Sequence, residues 1–342
     1  MSALSDVARL AEVSKATVSR ALSGNGYVSI ETRNRVVAAA AAIGYVVSSN
    51  ASSLVTGHTK NVGVVIPFIN RWFFGEVLEG IETALIAAGY DLTLYRLSAD
   101  DAARRRVFEY FLVRKRVDAV IAVGIELTRT EVDLLRSLGK PIVGIGGAVE
   151  GMATLSIDDV AAAELITELL IGLGHTRIMH VGGSQQKQVD FRVHSQRLKG
   201  FTQAMRSAGL RYDDESFRPT DISIEGGYTA GLSILADPRS RPSAIVAGAD
   251  EVAIGIIIAA RQLGIQVPAQ LSVVGIDGHD LAPMFGLTTL AQHPKSQGTM
   301  AVRLLLDELT DLTEPLDRPA SNWNTFPVSL EVRQSTTAPP LP

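Results

Sequence analysis

The 342-residue sequence contains no cysteine. Disulfides, thiolate metal sites and cysteine nucleophiles are therefore excluded. Enzyme signatures are missing too. There is no GxSxG and no HExxH, and the six histidines show no metal-ligand spacing. The glycine clusters at 144–147 and 182–183 lack the spacing of a dinucleotide fingerprint. Gly139-Lys140-Pro141 lacks the upstream glycine and the Ser or Thr of a phosphate-binding loop. The carboxylate pairs Asp100-Asp101 and Asp158-Asp159 are adjacent, so on a helix they point apart, and Asp158 reads as near a helix start. No enzyme activity, cofactor or metal is expected. Long apolar runs are also absent, with none near the roughly 18–20 residues of a membrane span. MSALSDVARLAEVS is charged throughout, without the unbroken apolar segment of an export signal. A soluble, cytoplasmic protein with no membrane partner is expected.

What remains is a chain 46% hydrophobic and 20% charged, enough to bury a sizeable core in two or three domains. Its net charge of −4 is unevenly spread. Residues 1–60 hold Arg9, Lys15, Arg20, Arg33, Arg35 and Lys60 against Asp6, Glu12 and Glu31, a balance of +3 that leaves the rest at −7. A mildly basic module on an acidic body suits phosphate contact at one end only. So small an excess favours two copies acting together.

The stretch from Asp6 to Leu22, DVARLAEVSKATVSRAL, reads as two short helices meeting at Glu12-Val13-Ser14, with Ser14 as N-cap of the second. At helical spacing Val18, Ala21 and Leu22 share one arc, and Lys15, Ala16, Ser19 and Arg20 share the opposite one. One face can pack while the other offers a short basic edge, narrow enough for a DNA major groove. A plain helical hairpin would show the same periodicity. After the loop Ser23 to Gly26, Ser29 caps a third helix with an apolar stripe at Val36, Val37, Ala40 and Ile43, and Gly44 occupies the C′ position. Residues 46–60 are small, polar and weakly patterned, as in a linker.

From Asn61 the period changes. Short apolar runs alternate with helical stretches: 62–67, 90–95, 117–123 and 141–146, then 177–183, 243–248 and 271–277. Spacings near 25 to 35 residues predict two parallel sheets with right-handed crossovers, and a cleft at the carboxyl ends of their strands. The Pro-rich end, STTAPPLP, is expected to fray.

Three groups of residues read as cleft chemistry. Phe73 and Phe74, beside Trp72 after the first strand, suit stacking on a sugar ring or nucleobase, or packing beneath the first helix. Arg192 and Arg197, opening a helix after the glycines of RIMHVGG, offer paired donors to hydroxyls, carboxylate or phosphate, or lie on a solvated face. Asp277 ends a buried strand, so its carboxylate must face the cleft or cap the next helix. Asp250, in GADE, reads as a helix N-cap at the cleft edge, with ligand contact as the other possibility.

The chain resembles the lactose-repressor (LacI/GalR) family of bacterial transcription regulators. The likeness is carried by DVA, VS-KATVSRAL, YVSIETRNRV and the IGY of Ile43 to Tyr45, in that order. It continues through GVVIPFINRWFFGEVLEGIE, LGHTRIMHVGG, AGADEVAIG, QVPAQLSVVGIDG and LTTLAQHP. It implies a helix-turn-helix headpiece at 1–45, a hinge at 46–60 and a two-lobed core like the periplasmic sugar-binding proteins at 61–335. One lobe would hold 61–160 and 291–325, the other 161–290 and 326–335. Lys15, Ala16 and Arg20 would reach base edges, and Ser14, Thr17, Ser19, Ser29 and Thr32 would hold phosphates. Leu54, with Ala51 one turn earlier, would wedge into the minor groove. The family's ligand contacts fall at Phe73, Phe74, Arg197 and Asp277, with Arg192 less directly matched.

Several positions depart from the family pattern. Val47-Ser48 and Ser52 replace a Pro-Asn pair and an arginine, Arg71-Trp72 replaces an Asn-Pro pair, and Gly146 replaces a polar residue. No leucine heptad follows the core, so a homodimer is implied rather than a tetramer. The expected function is a repressor of double-stranded operator DNA, controlled by a small polar effector, most simply a sugar. Corepression by a purine or by a partner protein is the alternative. A solute-binding or sugar-active protein of the same architecture is a more distant one.

Overall fold

The computed structural model describes residues 4–23, 26–45, 58–97, 100–114, 116–185, 192–310 and 322–340. The hinge candidates Ala51 and Leu54, and the departures at 47, 48 and 52, lie outside the described residues. The chain forms two compact units, Met1–Lys60 and Asn61–Pro342.

In the first unit, helices α1 (Leu4–Leu10), α2 (Lys15–Ser23) and α3 (Ile30–Ala42) enclose a small core. Val7, Ala11, Val18 and Val36 are almost wholly buried there. The turn between the first two helices places Glu12 at φ 54°, and Ser14 Oγ accepts from the Thr17 amide at 3.1 Å. The third helix is capped by Ser29 and ends at Gly44, whose φ of +62° suits a residue without Cβ.

The second unit holds two sheets. Strands β1 (Asn61–Ile66), β2 (Asp91–Arg96), β3 (Ala119–Val123), β4 (Ile142–Ile145) and β5 (Ala153–Ser156) form the first, joined at its edge by β11 (Asn322–Thr325). The order is β11-β5-β4-β3-β1-β2, and every pairing is parallel. The second sheet takes β6 (Ile178–Gly182), β7 (Phe217–Pro219), β8 (Ala244–Ala247), β9 (Ser272–Asp277), β10 (Thr288–Ala291) and β12 (Ser329–Glu331). Its order is β12-β10-β9-β8-β6-β7, with only β12 antiparallel among the described strands. The chain therefore passes between lobes after β5, after β10 and after β11.

Side-chain alternation along the strands builds two cores per sheet. In β1 and β3, Val62, Val64, Ala119, Ile121 and Val123 face helices α4 (Trp72–Ala87) and α11 (Pro294–Thr310). Val65, Val120 and Ala122 pack with the π-helical turn Val107–Phe111, which continues α5 (Asp101–Arg106), and with α6 (Arg129–Ser137). In the second sheet, Ala244, Val246, Val274 and Ile276 pack on α7 (Asp159–Gly172) and α8 (Val193–Ser207). Ile245, Ala247 and Val273 pack on α9 (Ile224–Leu235) and α10 (Asp250–Gln262). No helix among the described residues is long and apolar enough to cross a membrane.

The start of the tail is held in place, where its prolines suggest a loose end. Ser335 Oγ donates to the Val273 carbonyl at 2.5 Å and accepts from the Thr288 amide at 2.8 Å. The Thr337 amide donates to Ser272 Oγ at 3.1 Å. Hydroxyls and backbone groups just before the prolines thus tie the segment to the second lobe.

Helices α4 and α11 approach closely because glycines face backbone. A Cβ at Gly80 would lie 2.1 Å from the Lys295 carbonyl oxygen, and one at Gly298 would lie 2.3 Å from that of Val77. Neither neighbour can swing aside as a side chain could. Gly80→Ala is expected to destabilise the core by about 1–3 kcal/mol through overpacking, despite alanine's better helix propensity. Chemical denaturation checks this, and a midpoint at or above wild type would contradict the close approach.

Candidate functional site

Two surfaces carry the polar residues singled out by sequence. The first is the outer edge of α2. Lys15, Ala16, Ser19 and Arg20 are exposed there, while Val18 and Ala21 are buried on the opposite side. Thr17 is half-buried, and its hydroxyl pairs with that of Ser14 at 2.9 Å. Arg20 Nε donates to the Ala16 carbonyl at 3.2 Å, so the side chain folds back along its own helix. Ser29 is exposed, and its hydroxyl donates to Thr32 Oγ1 at 2.9 Å. The edge is therefore short, cationic and free of large apolar groups, as contact with a sugar-phosphate backbone and base edges requires.

The second surface is a cavity of about 300 Å³ between the two lobes. Gly124, Ser156, Gly183, Gly248 and Asp277, each at or just past the carboxyl end of a strand, contribute to its wall. One side is aromatic. Phe73 and Phe74 open α4 and lie edge to face at 5.4 Å and 84°, and Phe74 meets Phe68 at 5.7 Å and 58°. Both Phe73 and Phe74 also pack against the core beneath α4, so the two readings of these rings hold together. Phe74 covers Gly124, where a Cβ would sit 2.6 Å from the ring.

The other side is polar and centres on Arg197, one turn into α8. Its Nε donates to Asp159 Oδ1 at 2.8 Å, and its Nη1 donates to the Gly248 carbonyl at 2.6 Å. Asp277 Oδ1 lies 3.9 Å from the same Nη1. These three side chains are only 7–9% exposed. Asp158 caps α7 by accepting from the amides of Val160 and Ala161, which leaves Asp159 to meet Arg197.

Asp277 stands in a strained backbone, φ 141°, a region that disfavours side chains and is held only where the surroundings enforce it. Gln292 does so in part: its Nε2 donates to Asp277 Oδ1 at 2.5 Å, and its amide donates to the Asp277 carbonyl at 3.2 Å. Burial pushes the Asp277 carboxyl up to about 7, against the pull of Arg197 and with a further push from Asp250.

Two candidates fall outside the cavity wall. Arg192 precedes α8 in a left-handed conformation and is exposed to solvent, so it does not line the cavity. Asp250 is not an N-cap either: Ala249 takes that position, and Asp250 is the first residue of α10 and fully buried. Its carboxylate accepts from the amides of Gly278 at 2.9 Å and His279 at 2.8 Å, and from Thr289 Oγ1 at 2.8 Å. Burial pushes this carboxyl up to about 6, with those hydrogen bonds opposing. Asp250 thus supports the turn after β9 from behind. Sequence reasoning passed over Asp159, Asp221, Glu251 and Gln292, all of which line the cavity. Gln292 lies one residue past β10, a strand-end position that could have marked it. Gly146 adopts φ +131°, a conformation a side chain rarely takes, which accounts for glycine there.

A carboxyl whose pKa is higher folded than unfolded binds more protons in the native state, so stability falls as pH rises through that window. For Asp277 the window runs from its ordinary 3.8 to about 7. Asp277→Asn cannot ionise, so its melting temperature is expected to fall less than that of wild type between about pH 4 and 7. Thermal melts across that range check this; parallel slopes in the two proteins would rule out a raised Asp277.

Comparison with known proteins follows the same division. Residues 3–48 match the family described as "Bacterial regulatory proteins, lacI family", and residues 167–336 match "Periplasmic binding protein-like domain". The chain is 32% identical to the HTH-type transcriptional repressor PurR of Photobacterium profundum, over 91% of this chain and 93% of that protein. It is 32% identical to the ribose operon repressor of Escherichia coli, over 92% and 94% respectively. Among solved structures, the lac repressor dimer bound to operator and an anti-inducer superimposes with a TM-score of 0.83 at 23% identity, covering 98% of this chain and 99% of that one. That last likeness concerns the fold.

Proposed function

This chain belongs to the lacI family of bacterial regulatory proteins and is a DNA-binding transcriptional regulator rather than an enzyme. From that premise we propose a homodimeric repressor of a near-palindromic operator, controlled by a small, uncharged, polyhydroxylated effector in the inter-lobe cavity.

The observation that carries this reading is the make-up of the cavity wall. A tilted aromatic side faces buried groups that can both donate and accept, Arg197 and Gln292 against Asp159 and Asp277. Aliphatic ring faces suit the first side, and paired hydroxyls suit the second. Among the described lining residues, Arg197 is already engaged by Asp159 and the Gly248 carbonyl, and Asp221, Glu251 and Asp277 add carboxyl groups, the last two pushed up by burial, so the wall disfavours a phosphorylated or carboxylated ligand. The phenylalanine rings lie at 58° and 84° to their neighbours, so they do not form a parallel slot for a flat base. The effector acts by differential affinity for two arrangements of the lobes, and it changes DNA affinity by the same factor by which DNA changes effector affinity. The relative named for ribose regulation agrees with a sugar-sized, neutral ligand.

A thermal-shift screen of neutral sugars, sugar phosphates, purines and nucleosides tests the ligand class. At 100 times its Kd a true ligand adds about 2.7 kcal/mol. A neutral sugar is expected to shift the melt, and a response confined to sugar phosphates or purines overturns the assignment.

DNA reading is tested separately on an operator selected from a palindromic library. Arg20→Ala is expected to weaken specific binding by about 1–3 kcal/mol, the loss of one base-edge contact. Equal weakening on random DNA would make Arg20 a phosphate contact instead.

A further inference from the structure

The Arg71-Trp72 pair, which departs from the usual pattern, lies beside the cavity. Arg71 and Phe73 line it, and Trp72 between them reaches across to the other lobe. The Trp72 indole stacks on the His279 imidazole, with centroids 4.6 Å apart and planes at 23°. Its Nε1 donates to Asp280 Oδ2 at 3.3 Å. Trp72 opens α4 of the first lobe, whereas His279 and Asp280 follow β9 of the second. The receiving surface is fixed on its own side. The His279 amide is held by the Asp250 carboxylate, and His279 Nδ1 accepts from the Leu281 amide at 3.0 Å. Burial lowers the His279 pKa against the pull of Asp280, which favours the neutral ring. Beside this contact, burial pushes the carboxyl of Glu251 in the second lobe up, and Arg71 of the first lobe opposes that rise across the cleft.

We infer that Trp72, seated on His279 and donating to Asp280, is a latch across the cleft mouth that holds the lobes together and gates passage into the cavity. All its parts are side chains of this protein. Its effect on effector exchange rests on the cavity being the effector site. The latch itself does not, and its test uses neither effector nor DNA.

The chain has two tryptophans, Trp72 and Trp323. In a Trp323→Phe background, acrylamide quenching of fluorescence therefore reports on Trp72 alone. With the latch closed, Trp72 is expected to be shielded, far less quenched than in the urea-unfolded chain. His279→Ala is expected to raise the quenching constant several-fold. Asp280→Ala, which removes one exposed acceptor and leaves the His279 stack in place, is expected to raise it less. Far-UV circular dichroism confirms that each variant is folded. If His279→Ala is not, Asp280→Ala and Trp72 shielding in the parent still decide the matter. Trp72 quenched in the folded parent as freely as in urea, or unaltered by both substitutions, overturns the latch and leaves the regulator reading intact.

Discussion

The core is organised around a guanidinium held out of water. Arg197 cannot lose its charge, so its burial is tolerable only if acceptors surround it. They come from three separate places: Asp159 at the first crossing between lobes, the Gly248 carbonyl after β8, and Asp277 at the end of β9. Removing one partner of such a buried pair costs about 3–5 kcal/mol, because the other is left uncompensated. The arrangement therefore constrains where α7, α8 and two strand ends can lie. It also leaves donors and acceptors in the cavity wall that incoming hydroxyls can engage without baring a charge. A hydrophobic filling would be cheaper to fold, and it would recognise nothing polar.

The parts of the molecule visible in the sequence are those set by local spacing. Val18 and Ala21 against Lys15 and Arg20 mark both faces of α2 within a few residues. The runs around Val64, Ile121, Val246 and Val274 mark buried parallel strands in the same way. Asp277 became a candidate because a carboxylate at the end of a buried run needs a reason, whereas Arg197 stood out from a solvated face only through the family resemblance. Partners across the fold were not legible. Asp159 sits 38 residues from Arg197, and Asp250 sits 39 from Thr289. Nothing in the local pattern of GADE separates an N-cap from a carboxylate that braces a distant turn. The tail misled for a related reason: its prolines suggested a loose end, while Ser335 and Thr337 found partners on β9 and β10.

Two buried carboxylates, Asp250 and Asp277, are both pushed upward by desolvation, yet they do different work. Asp250 is saturated by three donors and points away from the cavity wall, so its role is to hold backbone. Asp277 takes a short bond from Gln292, with the Asp250 backbone amide and a more distant Arg197 also favouring its charged form. Its strained φ of 141° persists because the Gln292 contacts and the turn braced by Asp250 leave little alternative. Strain of this kind costs about 1–3 kcal/mol. It is tolerated here at the residue that faces the cavity, where it sets the direction of the carboxylate.

The same brace connects the cavity wall to its mouth. Asp277, Gly278 and His279 are consecutive, and the Asp250 carboxylate grips the last two through their amides. A molecule that engages Asp277 therefore acts on the turn that also presents His279 to Trp72. If the Trp72 contact favours one setting of that turn, a molecule that prefers the other weakens it, and the contact weakens that molecule's binding by the same factor. Val193, the first residue of α8, packs against the first lobe's core, so the Arg197 helix is itself in contact with both lobes. Wall, mouth and lobe contact thus share one short turn and one helix start.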